Sequence, residues 1–257
     1  MSDQRFSRKD LKQSDDFQRG ATNFAGWLVE RRRTIGLGLL VILAGASILA
    51  GVQAYRTRQE QNAAAMFAAG MRVYQAPVIQ MADLDAAVAA ALGEGDSFGS
   101  DQEKFEAAVA AFSPVVEQYG AQPSGRAAAF YLGASLMQLE RQEEAIDALR
   151  TAAQSGTPLI RAMSLYRIGS VLSDSGNHAE AVAAFEELAN PAPAGFPVAE
   201  ARFAKARAQE AAGDDGGAMT TYQRVAADDP ASIYAVPART RAEELAARLG
   251  VTLDAES

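Results

Sequence analysis

The side chains that most often carry enzyme chemistry are scarce in this sequence. There is no cysteine, and the one histidine is His178, in the turn-like stretch SGNH. A lone histidine in a turn, with no cysteine or second histidine to join it, provides neither a metal-ligand set nor a nucleophile–base pair. The sequence therefore favours a surface position at the start of a helix for His178 over a catalytic role.

The carboxylates and glycines show no catalytic spacing either. The acidic pairs are adjacent in sequence, as charges in turns and first helical turns commonly are: Asp214/Asp215, Asp228/Asp229 and Glu243/Glu244. No stretch has the spaced Asp/Asn/Gly pattern of a calcium loop, and the glycines of GEGDSFG precede neither a lysine nor a strand. We predict no catalytic residue, metal site, cofactor or small-molecule substrate. A hydrolase hidden in an atypical repeat is a minor alternative.

Charge is divided unevenly along the chain. Residues 1–33 carry eight Lys and Arg against five Asp and Glu, whereas residues 59–257 carry 14 against 27, a net charge of about −13. Nucleic acids are bound by clustered Lys and Arg, so an acidic body of this size argues against a nucleic-acid partner. The absence of cysteine also excludes a disulfide framework and a lipid-modified cysteine.

One segment is long and apolar enough to cross a membrane. The 22 residues from Thr34 to Tyr55 include no charged side chain. As a helix they would extend roughly 33 Å, against about 30 Å for the hydrocarbon core of a bilayer. Three arginines (residues 31–33) precede the segment, and only Arg56 and Arg58 follow it closely. The positive-inside tendency then predicts a cytoplasmic N-terminus, with the rest of the chain outside.

A buried core helix and a cleaved signal peptide are the alternatives to an anchor. The stretch VQA before Tyr55 loosely resembles a cleavage site, but the basic leader and the apolar run are both long for a signal peptide. Upstream, apolar residues at helical spacing suit either a short helix at the inner headgroup level or a partly ordered tail: Phe17, Ala21, Phe24, Trp27 and Leu28. We expect an uncleaved single-pass anchor.

The rest of the chain contains an internal repeat. Four alanines recur at steps of 37, 36 and 37 residues, each followed four residues later by a large side chain on the same helical face. The pairs are Ala108/Phe112, Ala145/Leu149, Ala181/Phe185 and Ala218/Tyr222. Gly133 and Gly169 stand 36 residues apart upstream, and prolines close the units. Each unit is predicted to be two helices and two turns, whereas a coiled coil or plain bundle would show heptads.

This pattern resembles the tetratricopeptide repeat, whose signature has Leu-Gly in the first helix, Ala and Phe in the second, and a final Pro. The matching positions are Leu132, Gly133, Leu136, Ala145, Leu149 and Ala152 in one unit, and Ile168, Gly169, Leu172, Ala181, Phe185 and Pro193 in the next. A later unit has Ala206 and Gln209 instead of the glycine and a large apolar residue, and the earliest has a degenerate first helix. We predict an all-α fold, with an N-terminal transmembrane helix followed by an α-solenoid of about three to four tetratricopeptide-like helix pairs.

The predicted organisation has five parts. They are a basic cytoplasmic tail (1–33), a transmembrane helix (34–55), a connecting helix with an inserted loop (56–100), the repeat domain (101–250) and a tail (251–257). The inserted segment 76–100 is predicted to contain a short helix from Leu84 to Leu92 and is either a lid or a connection. The polar helix predicted near the end of the repeat domain suits a cap.

A stack of helix pairs presents a concave face lined by the first helix of each pair, which suits a peptide carboxylate or an extended segment. On the tetratricopeptide pattern, the partner-binding candidates are Tyr131, Met137, Gln138, Arg167, Asp174 and Arg207. The alternative is that these are ordinary solvated side chains. Phe130, Tyr166 and Phe203 also fall in register, and core packing is the favoured role for them.

The whole arrangement resembles the bacterial family of the ancillary Sec translocon subunit. The stretches RKDLKQSDDF, ERRRTIG and EKFEAAVAAF carry the resemblance. It implies an inner-membrane protein with a cytoplasmic N-terminus and a periplasmic repeat domain, whose partners are translocon subunits, periplasmic chaperones and exported polypeptides. The expected role is a non-enzymatic interaction module. The alternatives are a scaffold for another envelope complex (outer-membrane assembly, cell wall or pilus) and a cytoplasm-facing regulator with inverted topology.

Overall fold

The computed structural model of the chain describes residues 31–79, 97–189 and 192–252. Regular structure within these ranges is helical, apart from one bridge between Val78 and Phe98. The helices are α1 (Arg32–Gln75), α2 (Asp101–Tyr119), α3 (Pro123–Gln138), α4 (Gln142–Ala153), α5 (Pro158–Asp174), α6 (His178–Ala189), α7 (Val198–Ala211), α8 (Asp215–Asp228) and α9 (Ala235–Leu249). The helices expected at residues 17–28 and 84–92 lie outside the described residues.

The chain divides into two compact units, Met1–Arg58 and Gln59–Ser257. In the first unit, the described residues after Arg31 belong to α1, which includes the predicted apolar run from Thr34 to Tyr55. Its most apolar stretch has a mean hydropathy of 2.1, and none of that stretch is buried. Of the helices described, α1 is thus the one long and apolar enough to cross a membrane.

In the second unit, the helices from α2 to α9 pack in sequential order. Each contacts the next along the chain, and the first helices of successive pairs also meet, α3 with α5 and α5 with α7. Each helix buries one face in a series of adjoining apolar clusters. This is the packing of an α-solenoid, in which each pair contacts mainly its neighbours, and the predicted fold class is confirmed.

Small and large residues meet between the two helices of each pair. A Cβ atom added at Gly133 would lie 2.6 Å from Leu149 Cγ, and one added at Gly169 would lie 2.7 Å from the Phe185 ring. The two glycines therefore let the helices approach closely, and the large side chains fill the space beside them. In the pair formed by α7 and α8, Ala206 takes the small position, and Tyr222 belongs to the same buried cluster.

The first helix of the earliest pair is the end of α1. A Cβ atom added at Gly70 would lie 2.5 Å from the Phe112 ring, which repeats the contacts of Gly133 and Gly169. Glu60 fixes the same stretch to the next pair, because its carboxylate accepts hydrogen bonds from Ser124 Oγ (2.6 Å) and Ser124 N (3.1 Å) at the start of α3. Residues 59–75 therefore pack as part of the repeat unit.

The inserted segment after α1 is closed at its base. Ile79 N donates to Phe98 O (2.8 Å) and Phe98 N donates to Pro77 O (3.1 Å), which joins the two ends of the segment beside the first pair. At the other end of the repeats, α9 packs on α8 through Ala238, Ala242 and Leu245. The last helix therefore covers the end of the solenoid.

The turn inside each of the pairs α3–α4, α5–α6 and α7–α8 repeats one backbone conformation. Glu140, Gly176 and Gly213 all have positive φ, at 58°, 79° and 83°. In each turn, the following amide donates to a carbonyl five residues back, as from Asn177 N to Leu172 O (2.8 Å). This is the left-handed helix end that glycine adopts most easily, so Glu140 occupies a glycine position.

Replacing Glu140 with glycine is expected to stabilise the repeat unit by about 1 kcal/mol, because the left-handed conformation costs a side-chain-bearing residue roughly 1–2 kcal/mol. Denaturant unfolding of the full chain in detergent measures the change. The matched control is Gly176→Ala, whose methyl group would meet no atom within 4 Å. This variant should be less stable than the wild type only because alanine disfavours the positive φ at this position. A loss of stability in Glu140→Gly would contradict the assignment of this turn.

Candidate functional site

A cleft lies along the first helices of three successive pairs. Its volume is about 500 Å³, and it is open to solvent. α3 contributes Met137, the central helix α5 provides most of the surface, and the start of α7 closes the other side. The lining is mainly apolar: Met137, Leu159, Met163, Tyr166, Arg167, Ser170, Phe196, Pro197 and Glu200. Such a surface suits an apolar side chain held by a few polar groups.

Among the residues that the structure describes, Arg167 is the one cation that lines the cleft. Its guanidinium carbon lies 5.2 Å from the centroid of the Phe130 ring, and Nη1 lies 3.9 Å from Met137 Sδ. Both partners belong to α3, and Phe130 is buried. Arg167 forms no ion pair with a carboxylate among the described residues, so its position is set by a cation–π contact and a soft sulfur contact. These two contacts hold the guanidinium in place.

The opposite side of the cleft holds a carboxylate. Tyr166 on α5 donates its hydroxyl hydrogen to Glu200 Oε1 on α7 at 2.8 Å. Burial, together with this hydrogen bond to Glu200, raises the pKa of the Tyr166 hydroxyl to about 12. The ring also packs against Phe185 and Phe196, with centroids 5.8 and 6.3 Å away. Tyr166 therefore fixes Glu200 and joins the cleft to the core of its helix pair.

We expect stability to fall between about pH 10 and pH 12. A phenol whose pKa is raised by folding favours the folded state below its unfolded pKa of about 10, and this contribution is lost as the pH rises through about 12. Titration of tyrosinate absorbance should show a component near pH 12, reduced in Tyr166→Phe. That variant should also flatten the decline of stability over this range. Complete ionisation of the tyrosine hydroxyls of the folded protein near pH 10 would contradict the expectation.

The structure brings two of the six predicted partner-binding residues together in the cleft, Met137 and Arg167. Tyr131 is instead half-buried among aromatic rings, 5.1 Å from Tyr74 and 5.9 Å from Phe112. Gln138, Asp174 and Arg207 are exposed and do not line the cleft.

Sequence reasoning missed Leu159, Met163, Phe196 and Glu200. Met163 and Leu159 lie four and eight residues before Arg167 on α5, so helical spacing from Arg167 could have found them. Phe196 and Glu200 come from the connection between α6 and α7 and from the first turn of α7. Their position depends on how the pairs stack, which the repeat pattern does not reveal.

His178 is the first residue of α6, as the sequence indicates, and is half-buried. Its Nδ1 atom is buried and has no hydrogen-bond partner in the described part of the chain. Over the residues described, no group of three or more His, Cys, Asp or Glu side chains could hold a metal ion.

The sequence and structure were compared with known proteins. Residues 100–158 and 165–233 match the family model of the tetratricopeptide repeat. A search of curated proteins finds no match. Two solved structures of a putative kinesin light chain with nearly identical TPR-like repeats, from Podospora anserina, are similar to this chain. Their sequences are 18% and 17% identical to this one, and both have a TM-score of 0.44. Each similarity covers 57% of this chain, and it covers 79% and 80% of the respective solved chains.

The family match and the packing agree in position. The matched ranges cover α2 to α4 and most of α5 to α8, the helices in which the glycine, alanine and aromatic contacts recur. Tetratricopeptide folds are typically non-catalytic scaffolds that bind other proteins. The repeat region of this chain therefore matches the tetratricopeptide repeat model, and its fold is a tetratricopeptide-like α-solenoid.

Proposed function

We propose that the protein is a membrane-anchored module that binds other proteins through the face formed by its first helices. The cleft around Arg167 is the observation on which this proposal rests. It combines an apolar surface, with Leu159 49% exposed, and a cation that no carboxylate among the described residues neutralises. An exposed apolar surface of this kind, bordered by polar groups, is typical of an interaction site.

The anchor in this proposal is the apolar part of α1. Support comes from its length, its hydropathy and its lack of buried side chains. The proposed organisation keeps residues 1–33 as a cytoplasmic tail and 34–55 as the span. Segment 56–100, of which residues 59–75 pack with the first repeat, then leads into the repeat domain 101–250 and the tail 251–257. The repeat domain would be periplasmic in a bacterial inner membrane, because the larger cluster of arginines precedes the span.

A reporter that is active only outside the cytoplasm tests this topology. Fused after residue 100, it should be active, and the same reporter fused before residue 31 should be inactive. The reverse pattern would support the cytoplasm-facing regulator and exclude a periplasmic role. Because the flanking arginines set the orientation, moving the basic residues 31–33 to the other side of the span should weaken or invert the pattern.

The proposed partners are translocon subunits, periplasmic chaperones and exported polypeptides. The resemblance of the N-terminal stretches and the α2 sequence to the ancillary Sec translocon subunit supports this choice. A protein-binding fold that follows an apolar helix in the chain supports it as well. Crosslinking in native membranes, followed by mass spectrometry, is expected to recover at least one of these partners. Recovery only of components for outer-membrane assembly, the cell wall or pili would favour the alternative envelope scaffold.

A further inference from the structure

The polar groups of the cleft are arranged with opposite charges on opposite sides. Arg167 lies on the α3 side, where Phe130 and Met137 hold it. Glu200 lies on the α7 side, where Oε1 accepts the Tyr166 hydroxyl hydrogen and Oε2 accepts no hydrogen bond among the described residues. The two charges do not form an ion pair with each other, and the apolar side chains of Leu159 and Met163 line the same cleft.

We propose that the cleft binds an extended polypeptide segment in which one bulky apolar residue is flanked by an acidic residue and a basic residue. The apolar side chain occupies the space beside Leu159 and Met163. The acidic residue pairs with Arg167 and the basic residue with Glu200. The inference rests on the proposed protein-binding function and names the class of segment that the cleft selects.

The apolar anchor supplies most of the binding free energy. Burial of a large aliphatic or aromatic side chain is worth about 1.5–3 kcal/mol, and the cleft volume of about 500 Å³ has room for such a side chain with its neighbouring backbone. The charges of Arg167 and Glu200 determine which peptide sequences the cleft selects. They determine which flanking residues are accepted, since an unlike pair gains attraction and a like pair meets repulsion.

If the cleft prefers a peptide with an acidic flanking residue, that preference is evidence that Arg167 contacts the peptide. Residues 59–257 carry a net charge of about −13, so the field of the repeat region as a whole repels an acidic peptide and attracts a basic one. A peptide that gains affinity from a carboxylate must therefore be responding to a local cation. Holding the guanidinium over Phe130 lowers the entropy cost of that pairing.

The test uses the full chain in detergent micelles and fluorescein-labelled synthetic peptides. Each peptide has a central leucine in a Gly/Ser background, with one glutamate and one lysine placed one, two or three residues away on opposite sides. The tightest binder is then changed in one residue at a time: glutamate to glutamine, lysine to glutamine, or leucine to serine. All binding is measured by fluorescence anisotropy at low salt, where partly exposed ion pairs are least screened.

The glutamate-to-glutamine peptide is expected to bind about three- to tenfold more weakly, the range for a charge-assisted hydrogen bond at a partly exposed site. This difference should disappear in Arg167→Gln and remain in Arg224→Gln, an exposed arginine on α8 that does not line the cleft. Arg167→Glu should prefer lysine in place of the peptide's glutamate. In the same way, the loss of affinity in the lysine-to-glutamine peptide should disappear in Glu200→Gln. Circular dichroism checks that each variant is folded.

Three results would overturn the inference: no peptide of the series binds, the effect of the peptide's glutamate survives in Arg167→Gln, or the cleft proves to hold a second copy of the chain. Photo-crosslinkers placed at Met163 and at other first-helix positions separate a failure of this inference from a failure of the proposed function. If native-membrane crosslinking from other first-helix positions still recovers partners, the protein-binding function stands and the cleft preference is wrong. A crosslinked dimer formed through Met163 would identify a second copy of the chain as the occupant, which also contradicts the proposal.

Discussion

Replacing Phe185 with alanine is expected to lower the free energy of unfolding by about 3–5 kcal/mol, the range for an aromatic side chain removed from a packed core. Phe185 is 1% exposed and fills the space beside Gly169, and its ring also contacts Tyr166. A cavity there would loosen the pair α5–α6 and the cleft above it. Denaturant unfolding of the full chain in detergent, followed by far-ultraviolet circular dichroism, measures the loss.

The matched control for this variant is Ile233→Ala. Ile233 is also a large apolar residue, but it is 83% exposed, so its truncation should change stability by no more than about 0.5 kcal/mol. Similar losses in the two variants would mean that burial beside Gly169 does not determine the energetics of this pair. The Phe185→Ala protein should also bind peptide more weakly, since Tyr166 would lose its support.

Adding a single methyl group at Gly169 is expected to destabilise the fold by about 1–3 kcal/mol. The new Cβ atom would lie 2.7 Å from the Phe185 ring, which is itself enclosed, so the two helices must move apart. Helix propensity acts in the opposite direction, because alanine is favoured over glycine within a helix by about 1 kcal/mol. The crowding is expected to outweigh this gain.

Gly216→Ala separates these two effects. Gly216 lies in α8, where an added Cβ atom would meet nothing within 4 Å, so only the propensity term operates and the variant should be more stable than the wild type. Opposite signs for the two glycine-to-alanine changes would establish close helix approach at Gly169. Stabilisation by both would show that the pair tolerates a wider spacing.

The repeat architecture could be predicted because its determinants are local and periodic. Ala181 and Phe185 lie one helical turn apart, and the same pair recurs through the chain in phase with glycines and prolines. The repeat spacing of 36 or 37 residues was therefore enough to predict the helix pairs and their sequential stacking. The final helix was also predictable, since its buried alanines repeat on one face while the other is charged.

The first helix of the earliest pair could not be recognised from the repeat spacing, because the inserted segment separates it from its partner helix. In the later pairs, the small residue precedes its large partner by 16 residues, as from Gly169 to Phe185, whereas Gly70 precedes Phe112 by 42. A search at fixed spacing cannot relate Gly70 to its partner. Only the packing, in which Gly70 meets the Phe112 ring as Gly169 meets Phe185, reveals the equivalence.

The cleft was predictable only in part. Met137 and Arg167 follow from the rule that first helices line the concave face. The closure by Phe196 and Glu200 depends on a proline-rich connection with positive φ at Gly195. Such a connection has no periodicity, so its path is determined by tertiary contacts such as the one between Phe196 and Tyr166. The pairing of Tyr166 with Glu200 likewise requires the stacking of two successive pairs.

The sharing of α1 between the apolar segment and the first helix pair has a practical consequence for recombinant fragments. A soluble fragment that starts at Asp101 would lack the helix that covers Phe112 and Tyr131, leaving aromatic surface open to aggregation. A fragment that starts at Gln59 retains this cover and also the carboxylate of Glu60 at Ser124. Crystallisation and ligand screening of the isolated repeats should therefore begin from the longer fragment.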